Sequence, residues 1–156
     1  SSPGPALFRQ DRSGRDGRQI GVFKFRSMRA AENGSDVRQA SKNDPRVTRF
    51  GAFLRKTSLD ELPQFVNVLR GEMSLVGPRP ITEDEIRRYG QYMPIVLSAR
   101  PGMTGLWQVS GRNDVSYATR VALDVQYAFG QSLGSDLSII ARTFVRVFRP
   151  SHGGAY

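Results

Sequence analysis

The sequence predicts one α+β domain that is mainly helical, with a small N-terminal β-hairpin and amphipathic surface helices. Apolar and basic residues alternate from Phe23 to Arg26, as in a half-buried strand. Beyond Asp44 the apolar residues recur at helical spacing. At 156 residues the chain has about the length of one domain, and we expect a single unit over 1–156.

The composition restricts the chemistry open to this chain. It has no cysteine and one histidine, which excludes thiol catalysis, cysteine-ligated metals and multi-histidine sites. An enzyme would therefore take its acid, base or nucleophile mainly from Asp, Glu, Lys or Tyr. No apolar run reaches the ~20 residues of a spanning helix. We expect a chain that is soluble or lies on a membrane surface.

The positive charge is concentrated in the first third of the chain. The net charge is +9; residues 1–58 carry 13 basic and 5 acidic side chains (+8), and the remainder 10 and 9 (+1). Such a segment attracts phosphates in nucleic acid, anionic lipid or a nucleotide. Outside Phe23–Arg26 the aromatic residues are not interleaved with basic ones, which argues against a nucleic-acid partner.

The N-terminal part predicts two strands, at 6–10 and 20–28, joined by a charged connection. In the second strand Lys24 and Arg26 would share one face. Residues 30–43 are polar and contain Asn-Gly, which predicts a mobile loop. A short basic amphipathic helix follows at 46–56. Its apolar side chains favour core packing, with a membrane-surface role as the alternative.

The next stretch predicts a helix that starts at Ser58, where Glu61 has the spacing of a capping box. Pro63 removes a backbone donor and would make the first turn irregular. Asp60, Gln64 and Asn67 would share one face. The apolar residues expected on the buried face are Leu59, Leu62, Phe65, Val66 and Leu69.

The second half predicts mostly helices. A short strand at 73–76 enters the Gly-Pro-Arg-Pro turn at 77–80. Thr82 and Glu85 form a second capping-box pattern, for a helix to about 92 or 97 with a kink at Pro94. Residues 100–112 should form an ordered loop. Helices follow at 116–129 and 135–149, the last with Arg142, Arg146 and Arg149 opposite its apolar face.

The adjacent carboxylates of Asp60 and Glu61 can divide the work of phosphoryl transfer. One can attack phosphorus while the other holds Mg²⁺ against a diphosphate. A helix N-terminus favours the ionised form of a nearby carboxylate. The cations expected to neutralise phosphate oxygens are Lys24, Arg26, Arg55 and Arg79. The alternatives are ordinary acidic residues of a first helical turn and a purely structural turn at 77–80.

Seven motifs in order resemble the bacterial sugar transferase family, the monotopic polyprenyl-phosphate phosphoglycosyltransferases, over essentially the whole chain. They are FRQ at 8–10, KFRSM at 24–28, DPRVTR at 44–49, FLRKTSLDELPQ at 53–64, GEMSLVGPRP at 71–80, PGMTGLWQVSGR at 101–112 and GAY at 154–156.

The resemblance implies transfer of a phospho-sugar from a nucleoside diphosphate sugar, usually UDP-linked, to undecaprenyl phosphate, with release of UMP. The family's carboxylate pair falls on Asp60 as nucleophile, through a covalent aspartyl intermediate, and on Glu61 as the Mg²⁺ ligand. The positions that the same match implies for substrate binding are Lys24, Arg26, Arg55, Arg79, Arg112 and Asp124.

Family members carry a hydrophobic re-entrant helix just before the Ser-Pro-Gly-Pro stretch, and this chain starts at that stretch. We therefore expect a catalytic domain trimmed of its anchor, from a parent protein at the cytoplasmic face of the bacterial inner membrane. The resemblance also implies a role in exopolysaccharide or O-antigen synthesis. The competing hypotheses are a basic nucleic-acid-binding domain and a membrane-surface module without activity.

Overall fold

The computed structural model describes residues 4–29, 44–111 and 115–148. Within these ranges the chain is mainly helical with two small sheets, which confirms the α+β prediction. The predicted loop at 30–43, Arg112 and Arg149 lie outside the described residues. The strands and helices are β1 Leu7–Ser13, β2 Gln19–Phe25, α1 Arg49–Lys56, α2 Gln64–Leu69, β3 Ser74–Val76, α3 Glu83–Tyr89, α4 Met93–Ser98, β4 Gly102–Thr104, α5 Leu106–Ser110, α6 Tyr117–Phe129 and α7 Leu133–Phe148.

Strands β1 and β2 form the predicted antiparallel hairpin, with Leu7 opposite Phe25 and Ser13 opposite Gln19. Strand β1 continues three residues beyond its predicted end. The extension is held from outside the hairpin, because the Ser13 amide donates to the Ile81 carbonyl at 2.8 Å. A polar stretch that the sequence marks as a connection thus becomes strand, and it carries Arg12 into the sheet.

Helix α1 begins after Thr48, whose hydroxyl accepts a hydrogen bond from the Gly51 amide at 2.9 Å. Leu54 is buried as expected. Phe50 and Phe53 are 57% and 54% exposed and their rings stack on each other at the surface. The core-packing interpretation of this helix is therefore wrong for both phenylalanines.

The continuous helix predicted from Ser58 is broken into a 3₁₀ turn, Leu59–Glu61, and helix α2. Ser58 has a φ of 58°, in the left-handed region, and its side chain does not cap the turn. The capping-box prediction is wrong here because the Glu61 carboxylate bonds instead to Lys24 of β2. Pro63 has no amide hydrogen to donate, so α2 begins afresh after it.

The burial predicted for this stretch is also wrong, because the polar side faces inward. Gln64 and Asn67 are buried, with Asn67 fully inaccessible. Asn67 Nδ2 donates to the Gly21 carbonyl at 2.8 Å, and Oδ1 accepts from the Phe23 amide at 3.1 Å. The amide thus pairs with β2 as a neighbouring strand would, which leucine cannot do. The residues left exposed are Leu59, Leu62, Phe65, Val66 and Leu69.

Two motifs that are distant in sequence meet in the second sheet. Strand β3 runs parallel to β4, with Ser74 opposite Gly102. The Gly77 amide donates to the Thr104 carbonyl and the Gly102 amide to the Pro78 carbonyl, each at 2.9 Å. A Cβ atom at Gly77 would collide with backbone of the facing segment, so this close approach requires glycine. The Gly-Pro-Arg-Pro turn is consequently fixed in place.

The remaining helices pack around three small apolar clusters. Helix α3 starts with the predicted capping box of Thr82 and Glu85. The helix predicted from Thr82 is interrupted at Gly90, which has a φ of 53°. The interruption is not at Pro94, which lies in the first turn of α4. Buried members of the clusters are Ile81, Tyr89, Met93, Val96 and Val121; Val76, Val109, Tyr127 and Ile139; and Ile20, Val22 and Met73.

Helix α7 turns arginines toward the protein and several apolar side chains outward. Arg146 and Arg142 donate to the carbonyls of Gln108 and Val109, at 2.9 and 3.2 Å, and so satisfy acceptors near the end of α5. The large apolar side chains left exposed are Leu133, Leu137, Phe144, Val145 and Phe148. Across residues 4–29, 44–111 and 115–148, no helix is both long and apolar enough to span a membrane.

We predict that Asn67→Ala destabilises the protein far more than Leu69→Ala. Removing the amide leaves buried backbone groups of β2 without partners, which should lower the free energy of unfolding by about 2–3 kcal/mol. Leu69 is 88% exposed, so its truncation should change that value by less than about 0.5 kcal/mol. Urea denaturation of both variants measures the difference. Equal effects would contradict the inward orientation of the polar side of α2.

Candidate active site

A polar cleft with about 290 Å³ of space open to solvent lies between the hairpin, the 3₁₀ turn and the Gly-Pro-Arg-Pro turn. Its lining combines side chains from five separate parts of the sequence. The charged and amide side chains that line it are Arg12, Lys24, Glu61, Gln64, Arg79 and Gln108. Three cations therefore face one carboxylate, which makes the cleft suited to an anion.

Glu61 and Lys24 form an ion pair at the wall of this cleft. Lys24 Nζ donates to Glu61 Oε1 at 2.7 Å. Burial lowers the pKa of Lys24, and the charge of Glu61 acts in the opposite direction. The pair places a carboxylate and an ammonium group beside the space that a ligand would occupy.

Asp60 lies next to Glu61 in the 3₁₀ turn and is half-buried. It is not among the residues that line the cleft. Burial raises the pKa of Asp60, as does the charge of Glu61, while Lys24 and Arg55 lower it. The net shift is upward, opposite to the effect expected from the helix N-terminus. Reduced solvation therefore leaves the Asp60 carboxylate more basic than an ordinary aspartate.

The predicted arginines have different surroundings. Arg79 lines the cleft, and its guanidinium carbon lies 6.0 Å from the centre of the Trp107 ring. Arg55 does not line it, but its charge acts on Asp60, and its Nη1 lies 3.5 Å from the sulfur of Met28. Arg26 lies just past the end of β2 and donates to the Gly4 carbonyl at 2.9 Å. Arg26 is not brought to the cleft.

Asp124 is buried in the interior, at 1% exposure, and does not line the cleft. Its Oδ2 accepts a hydrogen bond from the Tyr89 hydroxyl at 2.8 Å, which ties α6 to α3. Burial raises its pKa to about 6, against the effects of the Tyr89 hydrogen bond and of Arg120. Arg112, the remaining candidate, lies outside the described residues.

Sequence reasoning missed Arg12 and Gln108 as cleft residues. Arg12 falls in a stretch that the sequence marks as a connection, and Gln108 in a stretch predicted to be a loop. Gln108 Oε1 is buried and has no hydrogen-bond partner in the described part of the chain. No spacing signal identifies either residue, because both reach the cleft through contacts between distant segments.

The donor set is compatible with Mg²⁺ held jointly by protein and substrate. No group of three or more Asp, Glu, His or Cys residues within the described ranges could hold a metal ion. Glu61 and Gln108 both line the cleft, and the buried amide oxygen of Gln108 has no hydrogen-bond partner within the described residues. Mg²⁺ often takes one or two protein oxygens and completes its shell with phosphate and water. The residues present fit that mode of binding.

A small α+β domain with a cationic cleft beside two adjacent carboxylates has the features of a phosphate-handling enzyme domain. The sequence of the chain identifies the class of protein more narrowly than the fold does. Residues 1–150 match the family described as bacterial sugar transferase. The chain belongs to this family.

Individual relatives match almost the whole chain. The UDP-galactose-lipid carrier transferase of Erwinia amylovora is 49% identical, over 98% of this chain and 35% of its own length. The UDP-glucose:undecaprenyl-phosphate glucose-1-phosphate transferase of Escherichia coli is 46% identical, over 96% and 33%. The exopolysaccharide production protein ExoY of Rhizobium meliloti is 47% identical, over 94% and 72%. The chain thus spans about a third of the first two relatives.

We predict that Asp124→Asn reduces the dependence of stability on pH. The carboxyl loses its proton near pH 4 when unfolded and near pH 6 when folded. Between these values the unfolded state binds fewer protons, so the contribution of Asp124 to stability falls as pH rises. Relative to wild type, the asparagine variant should therefore gain stability from pH 4 to 6 and no more above it. Urea denaturation at pH 4, 5, 6 and 7 measures this; parallel curves would contradict the raised pKa.

Proposed function

We propose that this chain is the catalytic domain of a transferase that moves a phospho-sugar from a nucleoside diphosphate sugar to undecaprenyl phosphate. The observation that carries the proposal is the pair of adjacent carboxylates beside a cleft lined by Arg12, Lys24 and Arg79. Family membership supports it, as do relatives named for undecaprenyl-phosphate sugar transfer. The names of those relatives favour a UDP-sugar as the donor.

In the first half-reaction Asp60 attacks the phosphorus that carries the sugar. A bond forms between an Asp60 oxygen and that phosphorus, and the bond to the oxygen bridging the two phosphates breaks. The bridging oxygen and its electron pair leave with UMP. The raised basicity of Asp60 supports its role as the attacking group.

In the second half-reaction the phosphate of undecaprenyl phosphate attacks the same phosphorus. The bond to Asp60 breaks, its carboxylate is restored, and undecaprenyl-diphosphate-sugar is released. Lys24 and Arg79 would neutralise charge on the phosphate oxygens during both displacements. Arg55 would act near Asp60 rather than from the cleft wall.

Glu61, whose side chain lines the cleft, would hold Mg²⁺. When bound, the ion supplies positive charge to the phosphate oxygens. The Lys24 ion pair holds the Glu61 carboxylate at the cleft wall, in reach of a bound diphosphate. Release of UMP that persists undiminished in excess EDTA would contradict this assignment.

We predict that Asp60→Asn abolishes release of UMP from UDP-sugars in the presence of undecaprenyl phosphate. An amide is a much weaker nucleophile than a carboxylate, so the rate should fall by more than about a thousand-fold. Exchange of labelled UMP into the UDP-sugar without lipid acceptor reports the covalent intermediate directly, and it should disappear as well.

The matched control is Asp16→Asn, the same chemical change in an exposed turn at 15–17. It should leave the rate within about two-fold of wild type, since exposed positions outside a site are seldom sensitive. Near-normal UMP release from Asp60→Asn would overturn the nucleophile assignment. Exchange absent from the wild type, with turnover intact, would instead overturn the covalent intermediate.

The lipid acceptor implies that the domain works at a bilayer surface, and the exposed apolar residues beside the carboxylates support this. We define the apolar surface as the outward side chains of α1, the 3₁₀ turn and α2, which are Phe50, Phe53, Leu59, Leu62, Phe65, Val66 and Leu69. Leu59 and Leu62 directly flank the carboxylate pair in sequence. Arg49 and Lys56 at the ends of α1, and Arg70 just after α2, add attraction to anionic lipid.

We predict that Phe53→Ser with Leu62→Ser weakens binding to vesicles containing anionic phosphatidylglycerol. Each side chain contributes about 1–2 kcal/mol when its apolar area leaves water, so the pair should lower the partition coefficient by at least about ten-fold. Co-sedimentation with vesicles measures the bound fraction. Leu7→Ser is the control, because Leu7 is equally exposed but lies on β1. Equal losses in both proteins would contradict a localised membrane contact.

The nucleic-acid-binding alternative gains no specific support from the described residues. Arg12 and Lys24 face a cleft that also contains Glu61, rather than a continuous basic surface. A steep fall of nucleic-acid affinity with salt would be needed to revive this alternative.

A further inference from the structure

Arg12 is a cation of the cleft for which the proposed reaction has so far given no role. It lies on β1, opposite Ile20, and its side chain is 13% exposed. Burial of a guanidinium that also faces Arg79 lowers the stability of the folded protein unless other groups compensate. Burial, and then the charge of Arg79, lowers the pKa of Arg12 to about 10. A bound anion would relieve both effects.

The protein holds the Arg12 guanidinium from several sides. Nη2 and Nε donate to Gln10 Oε1, at 2.6 and 3.2 Å. Nη1 lies 3.4 Å from Glu85 Oε2 and 3.5 Å from the Pro80 carbonyl. These contacts join the hairpin to the Gly-Pro-Arg-Pro turn and to α3. A long, flexible side chain is thereby restricted to one orientation at the cleft.

Glu85 is the centre of the charge network behind Arg12. Its other oxygen, Oε1, accepts from Arg120 Nη1 at 2.8 Å, and Oε2 also accepts from the Thr82 amide at 3.0 Å. Burial opposes ionisation of Glu85, but Arg120, the Thr82 amide and Arg12 leave its pKa lowered. One carboxylate is therefore shared by two arginines, and this group of three keeps a net positive charge.

The charges that line the cleft match a diphosphate. Arg12, Lys24 and Arg79 provide three positive charges and Glu61 one negative charge, a net of +2. A nucleoside diphosphate group carries negative charge that compensates this net positive charge, and a guanidinium can add a charge-assisted hydrogen bond to one of its oxygens. A lysine in the place of Arg12 would keep the charge but could not make the guanidinium contacts with Gln10, Glu85 and Pro80 that fix its orientation.

We infer that Arg12 contacts the diphosphate of the nucleotide-sugar donor and that Glu85 is the positioning residue that holds it there. The inference deepens the proposed function and rests on it for the identity of the donor. Arg12 is thereby a binding residue, and Glu85 acts only through it.

The test uses UDP as the probe and isothermal titration calorimetry to measure its dissociation constant. Arg12→Gln should raise that constant by about ten-fold to a hundred-fold, as expected for loss of charge-assisted hydrogen bonds. Arg9→Gln is the matched control, since Arg9 is an exposed arginine on the same strand. It should change the constant by less than two-fold. Equal binding of UDP by Arg12→Gln and wild type overturns the inference, as does failure of the wild type to bind UDP.

Thermal denaturation of each variant separates binding from folding. Should Arg12→Gln be unfolded, Arg12→Lys keeps the buried charge and removes the oriented guanidinium. A rise of at least three-fold in its dissociation constant for UDP supports the contact, and an unchanged value overturns it. Release of UMP by the wild type is measured in parallel. Its absence would defeat the transferase proposal, whereas the UDP comparison still decides the role of Arg12.

A double-mutant cycle tests the positioning role of Glu85. Glu85→Gln keeps a side chain that can complete the capping box with Thr82 but removes the negative charge. It should raise the dissociation constant for UDP several-fold in the wild-type background and less than two-fold in the Arg12→Gln background. Replacement of a purely structural residue would raise the dissociation constant by the same factor in both backgrounds. That result would overturn the assignment of Glu85.

Discussion

The side chain of Asn67 fastens helix α2 to the open edge of strand β2, and the position of the carboxylate pair depends on this contact. Its amide pairs with the Gly21 carbonyl and the Phe23 amide as a further strand would. The polar side of α2 must therefore face inward. Because the 3₁₀ turn precedes α2 directly, the same contact holds Glu61 against Lys24.

Two kinds of surface, one apolar and one cationic, lie around the carboxylate pair. Apolar residues of the turn and of α2 are left in contact with solvent, next to the carboxylates of Asp60 and Glu61. Cations converge on the cleft from the hairpin and from the Gly-Pro-Arg-Pro turn, which is itself fixed by backbone contacts with β4. The proposed transfer, from a diphosphate in a cleft to a lipid phosphate at a bilayer surface, would call for these two kinds of surface side by side.

Some features of the fold follow from short sequence patterns, and others depend on contacts between residues far apart in the sequence. Capping by Thr82 and Glu85, the hairpin and the short strand before the Gly-Pro-Arg-Pro turn follow from local patterns, and the structure confirms them. The structure does not confirm the continuous helix predicted from Ser58, although the local pattern favours it. Its spacing is that of an ordinary amphipathic helix, and periodicity identifies an apolar side without stating whether protein or bilayer covers it.

The sequence by itself determined the α+β class, the motif set that identifies the family, and the presence of Asp60, Glu61 and Arg79 as chemically capable groups. Only the tertiary structure decided which cations meet the carboxylates. Arg12 enters the cleft because β1 extends to pair with Ile81, whereas Arg26 lies past the end of β2 and does not. These outcomes depend on contacts between residues far apart in sequence, and no short-range spacing encodes them.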